Sequence, residues 1–546
     1  MSLDNRIKEL LLTYVATITH TGTHLETNNE NFFNDWFDQV PTLKAHPELH
    51  GFYPVKDDFL ERKIPWALLK GQGNKTIVLI HHTDTVDIED YGLQKDYAYR
   101  PYELTNLLKN EQISLSAGSK QDLDSGEWLF GRAVADMKGG AAIHLALFEE
   151  YAEKENFTGN LLLLGLPDEE NSSAGMRSAA YLLKELALQH QLDYVLMLNV
   201  EPHERLRSNE TTIYDGSIGK IMPMFLVRGK LAHSGQIYLG LNPVSLLSEI
   251  IRRTELNTYF IESAGNTTSP PPTWLYMKDR KYVYDVSLPL YAGGYMNILP
   301  LKRSPKSIMA KLKEISQDAF VSVIEDHKKS YQFYQEKATV DYGEINFTPN
   351  VMFYSELVDA VIRYNPAFES ELEDFIKELQ QQMNREELDR VEACYRVMEK
   401  TIEQYPDKGP MVIIALSPPY YPSVNNRDLP QVAEMQRLVE EIESYAKTEL
   451  KSELSVQNYY TGICDLSYAM FTDSDDTIDY IKDNTLLWGE VYSIPLEVIK
   501  ELSMPVLNIG PWGKEFHTYT ERVYLPDLFH NTPKLIKFTI DSMLKE

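Results

Sequence analysis

Three adjacent acids, Asp168, Glu169 and Glu170, close the segment LLLLGLPDEENSSAG at 161–175. The four leucines before them read as a strand covered on both faces, which needs no polar alternation. The acids then stand at its carboxyl end, where open α/β sheets bind ligands. Carboxylates crowded in this way repel one another unless protons, basic groups or a cation intervene. By themselves they read first as a solvated acidic loop, and it is the rest of the chain that reverses that reading. The theme recurs along the chain. TIVLIHHTDTVD at 76–87 is an apolar run ending in His81, His82 and Asp84. In a strand, residues i and i+2 share a face, so His82 and Asp84 point the same way. A carboxylate beside a histidine is the arrangement that fixes a metal-bound imidazole. YVLMLNVEPH at 194–203 delivers Glu201, and the run Val506 to Ile509 leads into a glycine-rich loop with His517 and Glu521. Asp136 precedes Gly139, Gly140 and a helical tail. It reads as a helix cap or a ligand, and the glycine pair implies a close backbone approach.

Pooled, the strand-end groups are His82, Asp136, Glu169, Glu170, Glu201 and His517. All are nitrogen or oxygen donors, a set that suits zinc and tolerates cobalt or manganese. The acids outnumber what one catalytic zinc needs. Two ions sharing a carboxylate would use them, and would hold a bridging hydroxide at neutral pH. A glutamate left off the metals is then free to take a proton from water. The sequence carries no HExxH, GxSxG or phosphate-loop motif, so metal-assisted hydrolysis is the chemistry it supports.

The elements that must position these groups follow from pattern and composition. At 546 residues, two domains are expected; 43% hydrophobic and 25% charged residues describe a globular protein. A formal net charge of −28 argues against nucleic acid as partner. Cys394 and Cys464 offer no disulfide framework, no apolar stretch approaches the roughly 20 residues of a membrane span, and the expected address is the cytoplasm. Helices are expected over 1–20, 31–37, 178–189, 243–254, 304–336 and 428–447. Phe32, Phe33, Trp36 and Phe37 read as core. Residues 88–128 read as an irregular surface segment, 366–405 as an acidic, solvated helix pair, and 411–424 as a buried strand stopped by prolines.

With these motifs in place, the chain resembles the co-catalytic zinc metallopeptidases that include carboxypeptidase G, succinyl-diaminopimelate desuccinylase, aminoacylase and peptidase T. HTDTV at 82–86, GRAVADMKGG at 131–140, DEENSSAG at 168–175, NVEP at 199–202 and GPWGKEFHTYTE at 510–521 are similar to that family's site elements, in the family's order. KLAHSG and GGYMNILP are similar to its lid elements. The resemblance implies a zinc-dependent exopeptidase-like α/β catalytic domain, 1–215 and 423–546, interrupted by an α+β lid at 216–422. It implies that Asp136 bridges two ions, with His82 and Glu201 on one and Glu170 and His517 on the other. Glu169 would be the general base, Asp84 would orient His82, His233 would stabilise the oxyanion, and Asn297 would line the cleft. Hydroxide shared by the ions would attack the amide carbonyl of a small peptide or N-acyl amino acid. Arg303 is a candidate anchor for a substrate carboxylate, or a surface arginine. PPYYP, the long lid and TGICDLSY resemble the family's arginine-utilisation subgroup. Insertions around 256–290 and 335–405 enlarge the lid, leaving both a homodimer and a monomer open. A non-catalytic relative that only binds a metal and a ligand is the alternative. Such relatives usually lose a ligand or the base, and here all are present.

Overall fold

The four-leucine segment lies inside a sheet, as its composition demands. In a computed structural model, the described residues are all but 111–112, 206, 208–209, 339, 490 and 546. The chain first lays down β1 (His50–Pro54), β2 (Lys63–Lys70), β3 (Gln72–His82), β4 (Thr158–Leu166), β5 (Asp193–Asn199) and β6 (Glu210–Tyr214). It then builds β7 (Lys220–Arg228), β8 (Thr273–Asp279), β9 (Tyr291–Asn297), β10 (Val351–Phe353) and β11 (Met411–Tyr421), and returns through β12 (Glu453–Gln457) and β13 (Val506–Asn508). The first sheet runs β1-β2-β4-β3-β5-β13-β6-β12, with β4, β3, β5 and β13 parallel at its centre.

Alternation splits the central strands between two cores. Ile77, Leu79, Leu161 and Leu163 pack with the helices Leu3–Ala16, Lys138–Ala152 and Thr532–Met543. Val78, Ile80, Leu162 and Leu164 pack with helix Ala174–His190 on the other face. Burying each such side chain stabilises by about 1.5–3 kcal/mol. The aromatic cluster Phe32, Phe33, Trp36 and Phe37 is core, as expected. The glycine pair is explained by backbone contact: a Cβ on Gly140 would stand 2.4 Å from the Val200 carbonyl oxygen.

The second sheet runs β8-β9-β7-β11-β10. Phe225 and Val227 face helices Pro243–Thr254 and Pro305–Gln335, while Met224 and Leu226 face Tyr354–Tyr364 and Arg390–Gln404. The helix pair expected to be solvated is therefore half core: Cys394, Tyr395, Val397, Met398 and Ile402 are buried on it. The acids lie on its outer side, and the inner apolar stripe closes one face of the sheet. Two further expectations change. Residues 88–128 contain the helices Pro101–Asn110 and Ala117–Ser125, the second capped by Ser116. The second is refined: β11 is buried and stops just before Pro422, as expected, but Pro418 and Pro419 lie within it, where its pairing with β7 shifts between Ser417 and Tyr421 and resumes, a bulge that tolerates the missing N–H groups.

The two sheets join where Gly216–Ser217 pairs antiparallel with Val424–Asn425. Helix Asp475–Asn484, after the crossing, packs back on Pro305–Gln335 and Tyr354–Tyr364. Among the described residues, no helix is long and apolar enough to cross a membrane.

Gly140→Ala is expected to destabilise the protein by about 1–3 kcal/mol, the usual cost of overpacking. Because the clash falls on the residue before Glu201, metal affinity should fall with it. Denaturant melts and metal titration of the variant check both.

Candidate metal centre

His81 and His82 leave the end of β3 on opposite faces, and their surroundings separate them. His81 is packed against Phe33 and Tyr14, with ring centroids 6.1 and 6.0 Å away, and belongs to the core. His82 Nδ1 lies 3.0 Å from the main-chain oxygen of Asp84. A carbonyl only accepts, so Nδ1 carries the hydrogen and Nε2 is the nitrogen left for a ligand. Nε2 faces Asp136 Oδ1 at 2.9 Å and Glu201 Oε1 at 3.7 Å. The other Asp136 oxygen lies 3.2 Å from His517 Nε2, which stands 3.0 Å from Glu170 Oε1. Asp136 thus sits between two histidines, each with its own glutamate. Ligand atoms of His82, Asp136 and Glu170 lie within 4.8 Å of one another, as do those of His82, Glu169 and Glu201. The residue before the helix Lys138–Ala152 is not its side-chain cap; Met137 occupies that position without a capping bond.

Acceptors aimed at one another need a positive charge between them. In the polypeptide alone, burial pushes Glu169 and Glu201 well above the carboxylate range; His82 opposes the shift and neighbouring carboxylates add to it. Burial, then Asp136, raises Glu170. For Asp136 burial is outweighed by hydrogen bonds from His517 and His82, which hold it below the usual range. His82 is raised because Glu201, Asp136 and Glu169 overcome its burial, and hydrogen bonds to Asp136 and Glu170 lift His517 to about 10. The four carboxylates Asp136, Glu169, Glu170 and Glu201 match the charge of two divalent cations. The nitrogen and oxygen donors suit zinc. The residues fit a two-metal centre.

A surrounding layer holds this set in place. The carboxylate of Asp84 accepts from the Glu169 and Glu170 N–H groups at 3.0 and 3.2 Å and from the Thr21 hydroxyl at 2.9 Å. It meets His82 through its carbonyl; its own Oδ1 stands 3.8 Å from Nδ1. Asp168, which the sequence left without a role, organises the loop. It accepts from Arg62 at 2.7 Å, Ser172 at 2.7 Å, Asn171 at 3.1 Å and the Ala174 N–H at 3.1 Å. Arg62 also binds Glu26 and Asp58, all out of solvent. On the far side Glu521 accepts from the N–H groups of Ala135 and Asp136, each at 3.2 Å, and from Arg132 at 2.8 Å. Burial, opposed by Arg132, pushes Glu521 up to about 7. Asp465 is buried behind the glutamates, and burial, opposed by the Ser173 hydroxyl and His82, raises it to about 7.

The lid-side candidates are placed differently. His233 is exposed, its Nδ1 accepting from the Gly235 N–H at 3.1 Å, and it is not in the metal cluster. Asn297 ends β9 with a buried Oδ1 that has no partner among the described residues. Arg303 is turned away, donating to the Tyr259 carbonyl and stacking 4.5 Å over its ring. Sequence reasoning missed Arg62, because two of its partners, Glu26 and Asp168, are remote in the chain and the nearby Asp58 alone reads as an ordinary local ion pair. It also missed the pairing of Arg132 with Glu521, although both lie in quoted motifs. The two free cysteines are small buried fillers, Cys394 Sγ 3.8 Å from Ser417 Oγ and Cys464 Sγ 3.6 Å from Ser217 Oγ.

Arg62→Met is expected to destabilise the fold by about 3–5 kcal/mol, because Glu26, Asp58 and Asp168 lose their buried counter-charge. Chemical denaturation measures it. Metal analysis should return about two divalent ions per chain for the native protein, and less for His82→Ala and for His517→Ala.

Comparison with known proteins bears on the whole chain. The model of "Peptidase family M20/M25/M40" matches residues 78–472. The uncharacterized protein YqjN of Bacillus subtilis (strain 168) is 32% identical, covering 98% of this chain and 96% of its own. Protein RocB of the same organism is 27% identical, covering 100% and 96%. A probable succinyl-diaminopimelate desuccinylase of Staphylococcus epidermidis is 28% identical over 33% of this chain and 37% of its own. The crystal structure of aminopeptidase PepT from Bacillus cereus shares the fold, with a TM-score of 0.54, 13% identity and 99% of each chain covered. The chain belongs to peptidase family M20/M25/M40 and is a metal-dependent hydrolase acting on C–N bonds, its co-catalytic ions divalent and typically zinc.

Proposed function

We propose that the protein cleaves the amide bond of a small peptide or N-acyl amino acid, with Glu169 as general base. The observation that carries this reading is the position of Glu169. It is grouped with His82 and Glu201, and its backbone N–H is fixed by Asp84. In this reading Asp136 would be shared by two ions, His82 and Glu201 would help hold one, and Glu170 and His517 would help hold the other. The ions, when bound, polarise the carbonyl and make water nucleophilic at neutral pH. Glu169 takes the proton of the attacking water on its carboxylate and passes it to the leaving amine nitrogen. Burial, reinforced by the neighbouring carboxylates, raises its proton affinity in the polypeptide alone, and metal ions, when bound, would lower it towards what a base requires.

The division into a catalytic domain, 1–215 with 423–546, and a lid, 216–422, is part of this proposal. The pairing of Gly216–Ser217 with Val424–Asn425 supports it, since both crossings lie side by side. A homodimer is supported by the lid edge. Strand β8 and the loop after it expose Leu275, Met277, Tyr282, Val283, Tyr284 and Val286, and His233 bridges to Ser287 of the same loop. A second copy covering this face would carry its own His233 toward the facing metal centre. The cytoplasmic address and a part in arginine utilisation rest on the free cysteines and on the resemblance of the motifs.

Glu169→Gln is expected to lower kcat by about a hundred- to ten-thousand-fold with both metals still bound. A panel of dipeptides and N-acyl amino acids, read by mass spectrometry alongside metal analysis, checks it; undiminished turnover sinks the assignment. Sedimentation of native protein and of Tyr284→Glu should show a dimer that the charge dissociates. A native monomer would remove the trans role of His233.

A further inference from the structure

The two histidines of the metal centre are oriented by different means. His82 is fixed through its own ring, Nδ1 donating to the Asp84 carbonyl at 3.0 Å. His517 Nε2 faces Asp136 and Glu170, but its Nδ1 makes no hydrogen bond with a described residue, and its side chain is 48% exposed. A metal-ligating imidazole normally has its second nitrogen held by a carboxylate or a carbonyl, which sets the direction of the ring. For His517 the backbone of its loop has to do this instead. That loop, 515–521, joins the paired strands Gly513–Lys514 and Arg522–Tyr524. It turns through left-handed backbone at Glu515 and His517, with φ of 53° and 62°.

Glu521 ties one end of the loop to the N–H groups of Ala135 and Asp136, and the rest docks on the helix Ala117–Ser125. Glu515 accepts from Ser119 Oγ at 2.9 Å and from the Thr520 hydroxyl, and pairs with Arg522 at 2.8 Å. Asp122 accepts from Lys514 and from Arg522, both at 2.8 Å. The Tyr519 hydroxyl donates to the Ser114 carbonyl at 2.7 Å. Residues three apart share a helix face, and Ser119 and Asp122 turn theirs to this loop. Of the nine residues in the helix only Ser119 and Leu123 are buried, so apolar packing anchors it weakly and the polar bonds fix its register on the loop. Two acids meet two cations in this clasp. It brings no net charge to the metal centre and acts on it through position.

We propose that the clasp sets the direction of His517, and that Ser119, Asp122 and Glu515 are positioning residues for one of the two ions, acting from a segment that supplies no ligand. This rests on the two-ion reading above, in which His517 and Glu170 help hold that ion. The other half of the centre is carried at the ends of β3 and β5, and His82 and Glu201 take no hydrogen bond from the helix among the described residues. Loosening the clasp therefore weakens one ion and spares the other.

The test loads full-length protein with cobalt(II) and withdraws the ions with a graded chelator, release being read by mass spectrometry and by the visible d–d absorption. His517→Ala identifies the step that belongs to the His517 ion. The double variant Ser119→Ala, Asp122→Ala cuts the helix from the loop without altering the loop. It should weaken that step about ten- to a hundredfold, the usual cost of losing groups that orient a ligand. The absorption of that ion should change as well, while the other step stays within about twofold. Asp122→Asn with Ser119 kept retains an acceptor for Lys514 and Arg522 and should recover most of the affinity. Denaturant midpoints taken after chelation separate a loosened clasp from a damaged fold. Equal weakening of both steps with a lowered midpoint overturns the proposal, as the mark of a merely structural contact. So does a double variant in which both steps are unchanged while His517→Ala loses one. If His517→Ala keeps both steps, the assignment of His517 to an ion falls, and the clasp proposal falls with it.

Discussion

The constraint on which the rest depends is negative charge taken out of water at one edge of a sheet. Asp136, Glu169, Glu170 and Glu201 converge with two histidines, and Asp84, Asp168, Asp465 and Glu521 are buried just behind them. A low-dielectric site does not hold eight carboxylates unaided. The chain answers in two layers. Inside, the histidines and the divalent ions of this family carry the positive charge. Outside, two buried arginines do, Arg62 for Asp168 and Arg132 for Glu521. Asp84 pairs with no arginine among the described residues. It is balanced by two main-chain N–H groups and a hydroxyl, and burial raises its proton affinity accordingly. The outer layer is permanent, and it keeps the geometry of the inner layer from depending on the metals alone.

Backbone geometry sets where that charge can go. The three parallel strands β4, β3 and β5 end side by side, so Glu169, His82 and Glu201 arrive together without long side chains reaching for one another. Close backbone approaches with no room for a Cβ close the gaps: one on Gly510 would stand 2.0 Å from the Glu201 carbonyl oxygen, and one on Gly175 2.5 Å from that of Pro167. Asp168, Ser173 and His517 adopt left-handed backbone, with φ of 70°, 52° and 62°. Such conformations cost about 1–3 kcal/mol each in non-glycine residues and persist where the surroundings over-determine them. Asp168 shows how. Its side chain takes four hydrogen bonds, and its carbonyl accepts from the N–H groups of Asn171, Ser172 and Ser173. A loop held at so many points presents Glu169 and Glu170 in fixed directions, which a proton transfer and a metal shell both need.

How much of this was legible in the sequence depended on whether the signal was local. The apolar runs before His82, Glu169, Glu201 and His517 announce strands, and strand ends in such sheets gather ligands, so the set could be assembled without coordinates. Alternation even separates His82 from His81, although only the packing of Phe33 and Tyr14 shows which one is core. Asp136 could be read as a helix cap, because a cap and a ligand look alike in sequence. The helices within 88–128 were obscured by polar residues, yet Pro101 and the Ser116 cap were visible signals. Of the prolines around β11, Pro422 marks its end as expected, while Pro418 and Pro419 sit in a bulge, and the sequence does not tell the two apart. The role of Arg62 was not legible, since Glu26 and Asp168, the partners that tie it to the site, are remote in the chain.

The second sheet joins these threads. Helix Arg390–Gln404, acidic outside and apolar inside, covers the face of β7 and β9 that begins at Lys220 and ends at Asn297. Without that cover, Met224 and Leu226 would be exposed beside the cleft and the face would have no fixed end. The shift at Pro418 and Pro419 belongs to the same design, because it sets Tyr421 opposite Lys220 with its hydroxyl on Ser173. One hydrogen bond thereby ties the roof of the cleft to the loop that holds the base. The second sheet thus acts on the site through Tyr421, whose hydroxyl meets the Ser173 side chain in the loop that carries Glu169 and Glu170.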